Sequence, residues 1–292
     1  MQQITIISGK GGTGKTTITA GLSWLADKAV LADCDVDAAD LHILLDPMVQ
    51  RTEDFSGGKT AQLQKHLCTQ CGACAELCRF DAIHGIEIDP VSCEGCGVCA
   101  AFCPEKAITM VDKLSGHWFV SDTRTGPMVH ARLGIAEDNS GKLVSVVRQE
   151  ARRVAEEQNC EYVIIDGPPG IGCPVIAAIG GVDLVLIVTE PTLSGLHDLK
   201  RVLATAGHFN IPAAVCVNKF DINLENTTVI EEFCGQQDVP VVGRIPYNRS
   251  VVAALMRKNT VFEHPCEEVS SEIRRMWDAV RAMLDDSGAR PS

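Results

Sequence analysis

The sequence predicts an α/β protein with a doubly wound, mostly parallel sheet, interrupted by a small cysteine-rich α+β segment. Three observations carry that expectation. Near the N-terminus, an apolar strand, Ile4-Thr5-Ile6-Ile7, runs through a glycine-rich loop into a helical repeat of Ile18, Leu22 and Leu25. Further apolar runs at Ala29–Ala32, Tyr162–Ile165, Asp183–Val188 and Ala213–Val217 read as strands, the later ones buried on both faces as in parallel sheets. From about Gly57 the composition changes abruptly, and one cysteine spacing then occurs twice.

The loop is Ser8-Gly9-Lys10-Gly11-Gly12-Thr13-Gly14-Lys15-Thr16-Thr17, which fits G-x-x-x-x-G-K-[ST] from Gly9 through Thr16. Its glycines let backbone N–H groups turn toward phosphate oxygens, Lys15 reaches the outer phosphates, and the Thr16 hydroxyl ligates Mg²⁺. A helix N-terminus behind such a loop favours anions. An ordinary glycine turn is the plainer reading, but the strand–loop–helix setting selects a nucleotide site over Gly9–Thr17. Lys10 is a second, early lysine that a simple phosphate cradle does not need. On these residues the chain resembles the deviant Walker A of the MinD/ParA/Mrp superfamily of P-loop ATPases. The resemblance implies ATP as nucleotide, Mg²⁺-dependent hydrolysis that is slow and partner-stimulated, and a sandwich dimer. Lys10 would reach across that dimer to the partner's nucleotide, an intermolecular counterpart of an arginine finger.

Taken in order, the strand at Ala29–Ala32 ends in Asp33-Cys34-Asp35-Val36-Asp37, where ligands bind in open α/β sheets. By resemblance this is switch I. Asp35 is then the aspartate that orients the attacking water, Asp33 the lesser choice, and a solvated acidic turn the alternative. The strand Tyr162–Ile165 ends in Asp166-Gly167-Pro168-Pro169-Gly170 and presents Asp166 to Mg²⁺ as a Walker B aspartate does. The family reads it as switch II, with the Gly170 N–H available to the γ-phosphate. Leu196, Leu199, Leu203 and Ala206 mark a helix between the last two central strands. Asn218-Lys219-Phe220-Asp221 is similar to a base-recognition segment, in which Asn218 contacts adenine. Asp221 keeps guanine open on pattern alone, whereas Lys10 favours ATP. Val241–Tyr247 is a last strand and turn that the family places near the base.

The cysteines run Cys68-x₂-Cys71-x₂-Cys74-x₃-Cys78, and twenty-five positions later Cys93-x₂-Cys96-x₂-Cys99-x₃-Cys103-Pro104. The flanks repeat too, with Phe80-Asp81-Ala82-Ile83 echoed by Pro104–Ile108. This is the spacing of bacterial two-cluster ferredoxins, whose fourth cysteine ligates the other cluster. The assignment is one [4Fe–4S] cluster on Cys68, Cys71, Cys74 and Cys103 and a second on Cys93, Cys96, Cys99 and Cys78. Arg79 stands where the motif usually has proline. Zinc is the competing reading, since C-x₂-C pairs also build Cys₄ sites. The resulting domain expectation is a bacterial-type ferredoxin domain at 59–114 inserted into a MinD-like ATPase domain at 1–58 and 115–292.

His117–Val120 and Pro127–His130 read as two short strands around a Thr125-Gly126 turn, with His117 and His130 in packing or surface roles rather than as ligands. Residues 137–141 read as a loop leading into a helix whose face carries Leu143, Val147, Ala151 and Val154. Cys173 lies where the nitrogenase iron protein, a relative within the superfamily, has a cysteine for a cluster bridging two subunits. The second cysteine such a cluster needs is not identified, and a packing thiol is the other reading. Cys34, Cys160, Cys216, Cys234 and Cys266 have no ligand spacing. The terminal helix aligns Ile273, Met276, Trp277, Val280 and Leu284. Asp278, Asp285 and Asp286 among its arginines and the Ser287–Ser292 tail indicate a core-facing helix without a direct membrane anchor.

A net charge of −12 over 292 residues argues against a nucleic-acid or anionic-membrane binder. No secretory leader opens the chain, and no apolar run approaches the ~20 residues of a membrane span. Fourteen cysteines without such a leader indicate metal sites in a cytoplasmic protein rather than disulfides. The reading as a whole is an ATP-hydrolysing iron–sulfur protein. A nucleotide-gated homodimer, or heterodimer with a related ATPase, would couple to electron transfer or metal–sulfur cluster handling on a redox or metal–sulfur partner protein. The alternative is a MinD/ParA-like spatial organiser, for division or positioning, with a redox-sensing ferredoxin insert.

Overall fold

The computed structural model describes residues 1–134 and 140–288. Of the loop expected at 137–141, only Ser140 and Gly141 fall among them, and the tail from Ala289 falls outside. The elements are β1 (Gln2–Ser8), α1 (Lys15–Leu25), β2 (Ala29–Asp33), α2 (Leu41–Leu45), β3 (Met48–Leu63), α3 (Ala73–Leu77), β4 (Ile83–His84) and β5 (Glu87–Ile88). They continue with α4 (Val98–Ala101), β6 (Ile108–Thr123), β7 (Gly126–Leu133), α5 (Ser140–Glu157), β8 (Tyr162–Pro169), α6 (Cys173–Ile179) and β9 (Leu184–Thr189). The last are α7 (Leu193–His208), β10 (Ala213–Asn218), α8 (Leu224–Gln236), β11 (Val241–Ile245), α9 (Arg249–Met256) and α10 (Glu267–Gly288). Among the described residues no helix is long and apolar enough to cross a membrane.

Two compact units emerge, one of residues 1–52, 118–132 and 140–292 and one of 53–117 and 133–139. In the first, the strand order is β11-β10-β9-β1-β8-β2-β7. Strands β11, β10, β9, β1, β8, β2 and β7 pair in parallel. Alternation across these strands divides the buried residues into two layers. Ile4, Ile6, Leu31, Ile164 and Leu186 face Leu22 of α1 and Ile273, Met276 and Trp277 of α10. The terminal helix is therefore core-facing, as its apolar stripe requires. Residues of the opposite parity, such as Val30 and Val163, are also fully buried, and α5 and α6 pack along β2 and β8. Val163, Ile164 and Ile165 have no exposed surface, the burial expected of a central parallel strand.

The sequence reading is corrected at β6 and β7. The two short strands expected at His117–Val120 and Pro127–His130 are parts of β6, which spans sixteen residues, and of β7, which spans eight. Arg124-Thr125 joins them. β3 also spans sixteen residues and was not anticipated. β3 is mostly exposed, β6 mostly half-buried, and both are rich in polar residues, so no apolar alternation marks them. The second unit is also wider than the interval 59–114.

His130 on β7 is buried and bonded to Ser121 Oγ at 2.9 Å, and its ring stacks on Phe119 at 5.0 Å. Burial, with a smaller contribution from the neighbouring His42, pushes its pKa down to about 4. Below pH ~6.5 the unfolded chain binds a proton here that the folded chain refuses until about pH 4. Stability should therefore fall by up to about 1.4 kcal/mol per pH unit across that window. Denaturant midpoints at pH 7.5 and 5 measure it, and His130→Asn should reduce the difference. An equal pH dependence in the variant would remove His130 as the cause.

In the second unit, Lys59 and Asp112 pair across β3 and β6 at 3.3 Å, and Gln64 N donates to Ala107 O at 2.7 Å. The duplicated cysteine run is duplicated in shape. Gln70 and Gly95, Gly72 and Gly97, and Asp81 and Lys106 all take left-handed backbone, each pair separated by twenty-five residues. Gly72 and Gly97 cap the equivalent short helices α3 and α4. Gly95 admits no side chain, because a Cβ there would lie 2.1 Å from Lys59 O.

Candidate functional site

The glycine loop leaves the end of β1 and enters α1 through Gly14, whose φ of 87° suits glycine. Protein contacts fix two of its glycines. A Cβ on Gly14 would stand 2.3 Å from Asn218 Nδ2, and one on Gly9 would stand 2.2 Å from Asp198 Cβ on α7. Gly11 and Gly12 meet nothing within 4 Å.

The register of the sheet places Asp33 beside Asp166 on neighbouring strands, and α1 brings its first turn onto them. Lys15 Nζ lies 2.8 Å from Asp166 Oδ1 and 3.7 Å from Asp35 Oδ2. Thr16 Oγ1 donates to Asp166 Oδ2 at 2.8 Å, and Thr19 Oγ1 donates to Asp166 Oδ1 at 2.8 Å. Burial opposes the Lys15 charge, but Asp166, then Asp35 and Asp33, outweigh it and hold the ammonium above its ordinary pKa. Asp35 is raised to about 6, chiefly by burial and then by Asp166, with Lys15 opposing. Asp33 is fully buried and pushed well above the carboxylate range by burial and by Asp166. Its Oδ2 and the Thr13 hydroxyl are buried without a hydrogen-bond partner. Such orphaned atoms at the rim of a phosphate loop fit a ligand and its cation. Thr16 and Asp166, already in contact, form a hard-oxygen pair suited to Mg²⁺.

Asn218, expected at the base, ends β10 and donates from Nδ2 to Thr13 O at 2.7 Å. A cavity of about 210 Å³ opens beside it, lined in part by Gly14, Asn218, Pro246, Tyr247 and Val251. A second, of about 450 Å³, covers the loop and reaches Asp35 and Asp40. Asp221 accepts the Tyr247 N–H at 2.7 Å, so one carboxylate oxygen is spent on the turn after β11. Gly170 and Lys10 both make contacts within the chain. The Gly170 N–H donates to Ser8 O at 2.9 Å rather than facing the loop, because β8 runs beside β1 up to Pro169. Lys10 lies 3.3 Å from Glu190 within its own chain. Sequence reasoning missed Thr19, Glu190 and Lys219, which join these contacts. Only Thr19, one helical turn beyond Lys15, carried a positional signal.

The eight motif cysteines of the second unit line two hollows. Cys68, Cys71, Cys74 and Cys103 line one, and Cys78, Cys93, Cys96 and Cys99 line the other. Each hollow thus takes three cysteines from one repeat and one from the other. Backbone N–H groups already point at sulfur, Gln70 N to Cys68 Sγ at 3.4 Å and Ala107 N to Cys103 Sγ at 3.3 Å. Among the described residues no three His, Cys, Asp or Glu side chains converge closely enough to hold a single metal ion. Cys173 is exposed at the first position of α6, while Cys34, Cys216, Cys234 and Cys266 are buried.

Fold and loop together define a P-loop nucleotide-binding protein of the mostly parallel α/β class. The profile of the CobQ/CobB/MinD/ParA nucleotide binding domain, CbiA, matches residues 4–261, and the chain belongs to that family. An uncharacterized protein of Methanocaldococcus jannaschii is 36% identical over 227 residues, 76% of this chain and 80% of the relative. The septum site-determining protein MinD of Synechocystis sp. is 24% identical over 257 residues, 85% of this chain and 77% of the relative. The structure of MinD from Pyrococcus horikoshii complexed with Mg-ADP shares the fold, with a TM-score of 0.56, 18% identity and 99% of each chain covered.

Proposed function

We propose that this chain is an Mg-ATP-operated switch whose nucleotide state sets its association with a second copy or a related ATPase, and that its second unit carries two [4Fe–4S] clusters. The convergence of Lys15, Thr16 and Asp166 is the observation that carries the nucleotide half. ATP binding trades the contact of Lys15 with Asp166 for contacts with phosphate, while the loop amides cradle the phosphates. Thr16 and Asp166 would hold Mg²⁺, which when bound would supply charge neutralisation for phosphoryl transfer. With its pKa about 6, Asp35 is largely ionised at neutral pH and orients the attacking water. The apolar cavity bordered by Asn218 and Tyr247 receives adenine, and Lys10 completes the partner's site.

Support for the clusters is the composition of the hollows, three cysteines of one repeat with the fourth of the other, which matches two-cluster ferredoxins. Cys68, Cys71, Cys74 and Cys103 would hold one, and Cys93, Cys96, Cys99 and Cys78 the other. A bound cluster supplies one-electron redox chemistry. Relatives named MinD favour a spatial organiser with a redox-sensing insert. The cysteine grouping alone favours electron transfer or metal–sulfur handling on a partner protein.

The test measures ATP-dependent association and hydrolysis anaerobically, with the protein oxidised and then reduced. A redox-sensing organiser changes its association constant with oxidation state, whereas an electron carrier delivers electrons to an acceptor only while hydrolysing ATP. Neither effect would leave the two units functionally uncoupled. Lys10→Ala is expected to lower turnover about a thousandfold, the low end of what an arginine finger supplies, and to prevent ATP-dependent dimerisation. Unchanged dimerisation would remove the sandwich reading.

A further inference from the structure

The turn between β6 and β7 carries a side chain that takes no part in the contacts described so far. Arg124 lies in the first unit and joins two segments of that unit that are far apart in sequence. On one side its Nη1 donates to Leu45 O and its Nη2 to Leu44 O, both at 2.9 Å. On the other, Nη2 donates to Lys258 O at 2.6 Å, while Nε and Nη2 meet the two oxygens of Glu263 at 2.6 and 3.1 Å. All three guanidinium nitrogens are engaged. Burial opposes the Glu263 charge, but Arg124 and the Thr260 N–H outweigh it and hold the carboxyl below its usual range.

Both segments border the nucleotide cavities. Leu44 and Leu45 end α2, which lends Ile43 and Leu44 to the cavity over the glycine loop. Lys258 closes the turn after α9, its own N–H donating to Leu255 O at 2.9 Å. Leu255 lines both cavities, and Val251 and Val252 of the same helix line the one beside Asn218. The last carbonyls of a helix have no partner within it. A planar fork of five donors can satisfy carbonyls on two walls at once, which a single ammonium does far less well. Lys258 Nζ also meets Asp46 Oδ1 at 2.8 Å, but that pair is largely exposed and contributes little.

We propose that Arg124 is a positioning residue that fixes α9 against α2, and so sets the span between the phosphate end of the nucleotide site and its base end. The proposal rests on the reading that these cavities receive Mg-ATP. Without the fork, α9 samples positions that do not fit the base, and apparent affinity falls by the fraction of time the fitting position is occupied. The glycine loop is held by other contacts, Gly14 against Asn218 and Gly9 against Asp198. A ligand that fills the loop alone should therefore be indifferent to Arg124.

The experiment is anaerobic calorimetry on the full chain with Mg²⁺ and two probes, a non-hydrolysable ATP analogue and inorganic tripolyphosphate, which lacks the base. Wild type, Arg124→Gln and Glu263→Gln are compared, with nucleotide-free thermal unfolding as a check of folding. Arg124→Gln should weaken the ATP analogue about tenfold, the factor of one hydrogen bond to a charged group, and tripolyphosphate by less than about twofold. Glu263→Gln leaves the fork on its carbonyls but loosens its anchor, so it should weaken the analogue alone by a smaller factor. It serves if Arg124→Gln does not fold. Equal losses for both probes would show general damage to the loop and overturn the proposal, as would an unchanged affinity for the analogue. A wild-type chain that binds neither probe would instead overturn the nucleotide reading beneath it.

Discussion

Lys15→Met is expected to abolish nucleotide binding and to destabilise the nucleotide-free chain by about 3 kcal/mol, the cost of breaking a buried ion pair. The size follows from what Lys15 leaves behind. Its ammonium is almost fully buried and touches Asp166 at 2.8 Å, with Asp35 at 3.7 Å and Asp33 beside them. Without it, Asp166 retains the Thr16 and Thr19 hydroxyls, which neutralise nothing. The destabilisation should depend on pH. Asp35, raised to about 6 even with Lys15 present, is raised further without it. Proton uptake by the carboxylates then relieves their repulsion as the pH falls, so the gap between variant and wild type should narrow from pH 8 toward 5. Denaturant titrations at both pH values, with a fluorescent ATP analogue for binding, test this. A variant as stable as wild type would show that the cluster does not depend on Lys15, and retained binding would refute the loop's role.

The second large effect concerns the cysteines. Anaerobically prepared protein should hold about eight irons and a matching amount of acid-labile sulfide, as two four-iron clusters require. Cys78→Ala should leave about four, and so should Cys103→Ala. Paired substitutions separate exchanged ligands from local ones. Cys78→Ala with Cys99→Ala affects one hollow and should leave about four irons, whereas Cys78→Ala with Cys74→Ala affects both and should leave almost none. If each repeat bound its metal alone, the two double variants would change places. Zinc in place of iron would reject the cluster reading.

Much of the first unit was legible because its signals are local. A buried parallel strand is a continuous apolar run, and the loop, Asp166 and Asn218 each stand beside one. The eight cysteines were legible because their spacing repeats. The long strands β3 and β6 were not, since β3 is largely exposed, β6 is mostly half-buried, and polar residues are spread along both without alternating. Glu190 and Lys219 were hidden for a different reason. Their pairing with each other and with Lys10 joins residues 10, 190 and 219, which no periodicity connects. The different environments of Asp33 and Asp35 were hidden because the sequence shows two similar aspartates two residues apart. Burial alone distinguishes the fully buried Asp33 from the partly exposed Asp35.

The contacts at Gly9 and Gly14 divide the glycine motif into two kinds of requirement. Asp198 and Asn218 leave no room for a Cβ at those two positions, whether or not a nucleotide is ever bound. A descendant that had abandoned ATP would still need both glycines merely to close its fold, so these letters of the motif can outlive its chemistry. Gly11, which meets no protein atom within 4 Å and has no left-handed φ to demand glycine, is under no such obligation. An alanine there is tolerable to the protein alone, which makes Gly11 the position at which a ligand's own footprint can be read.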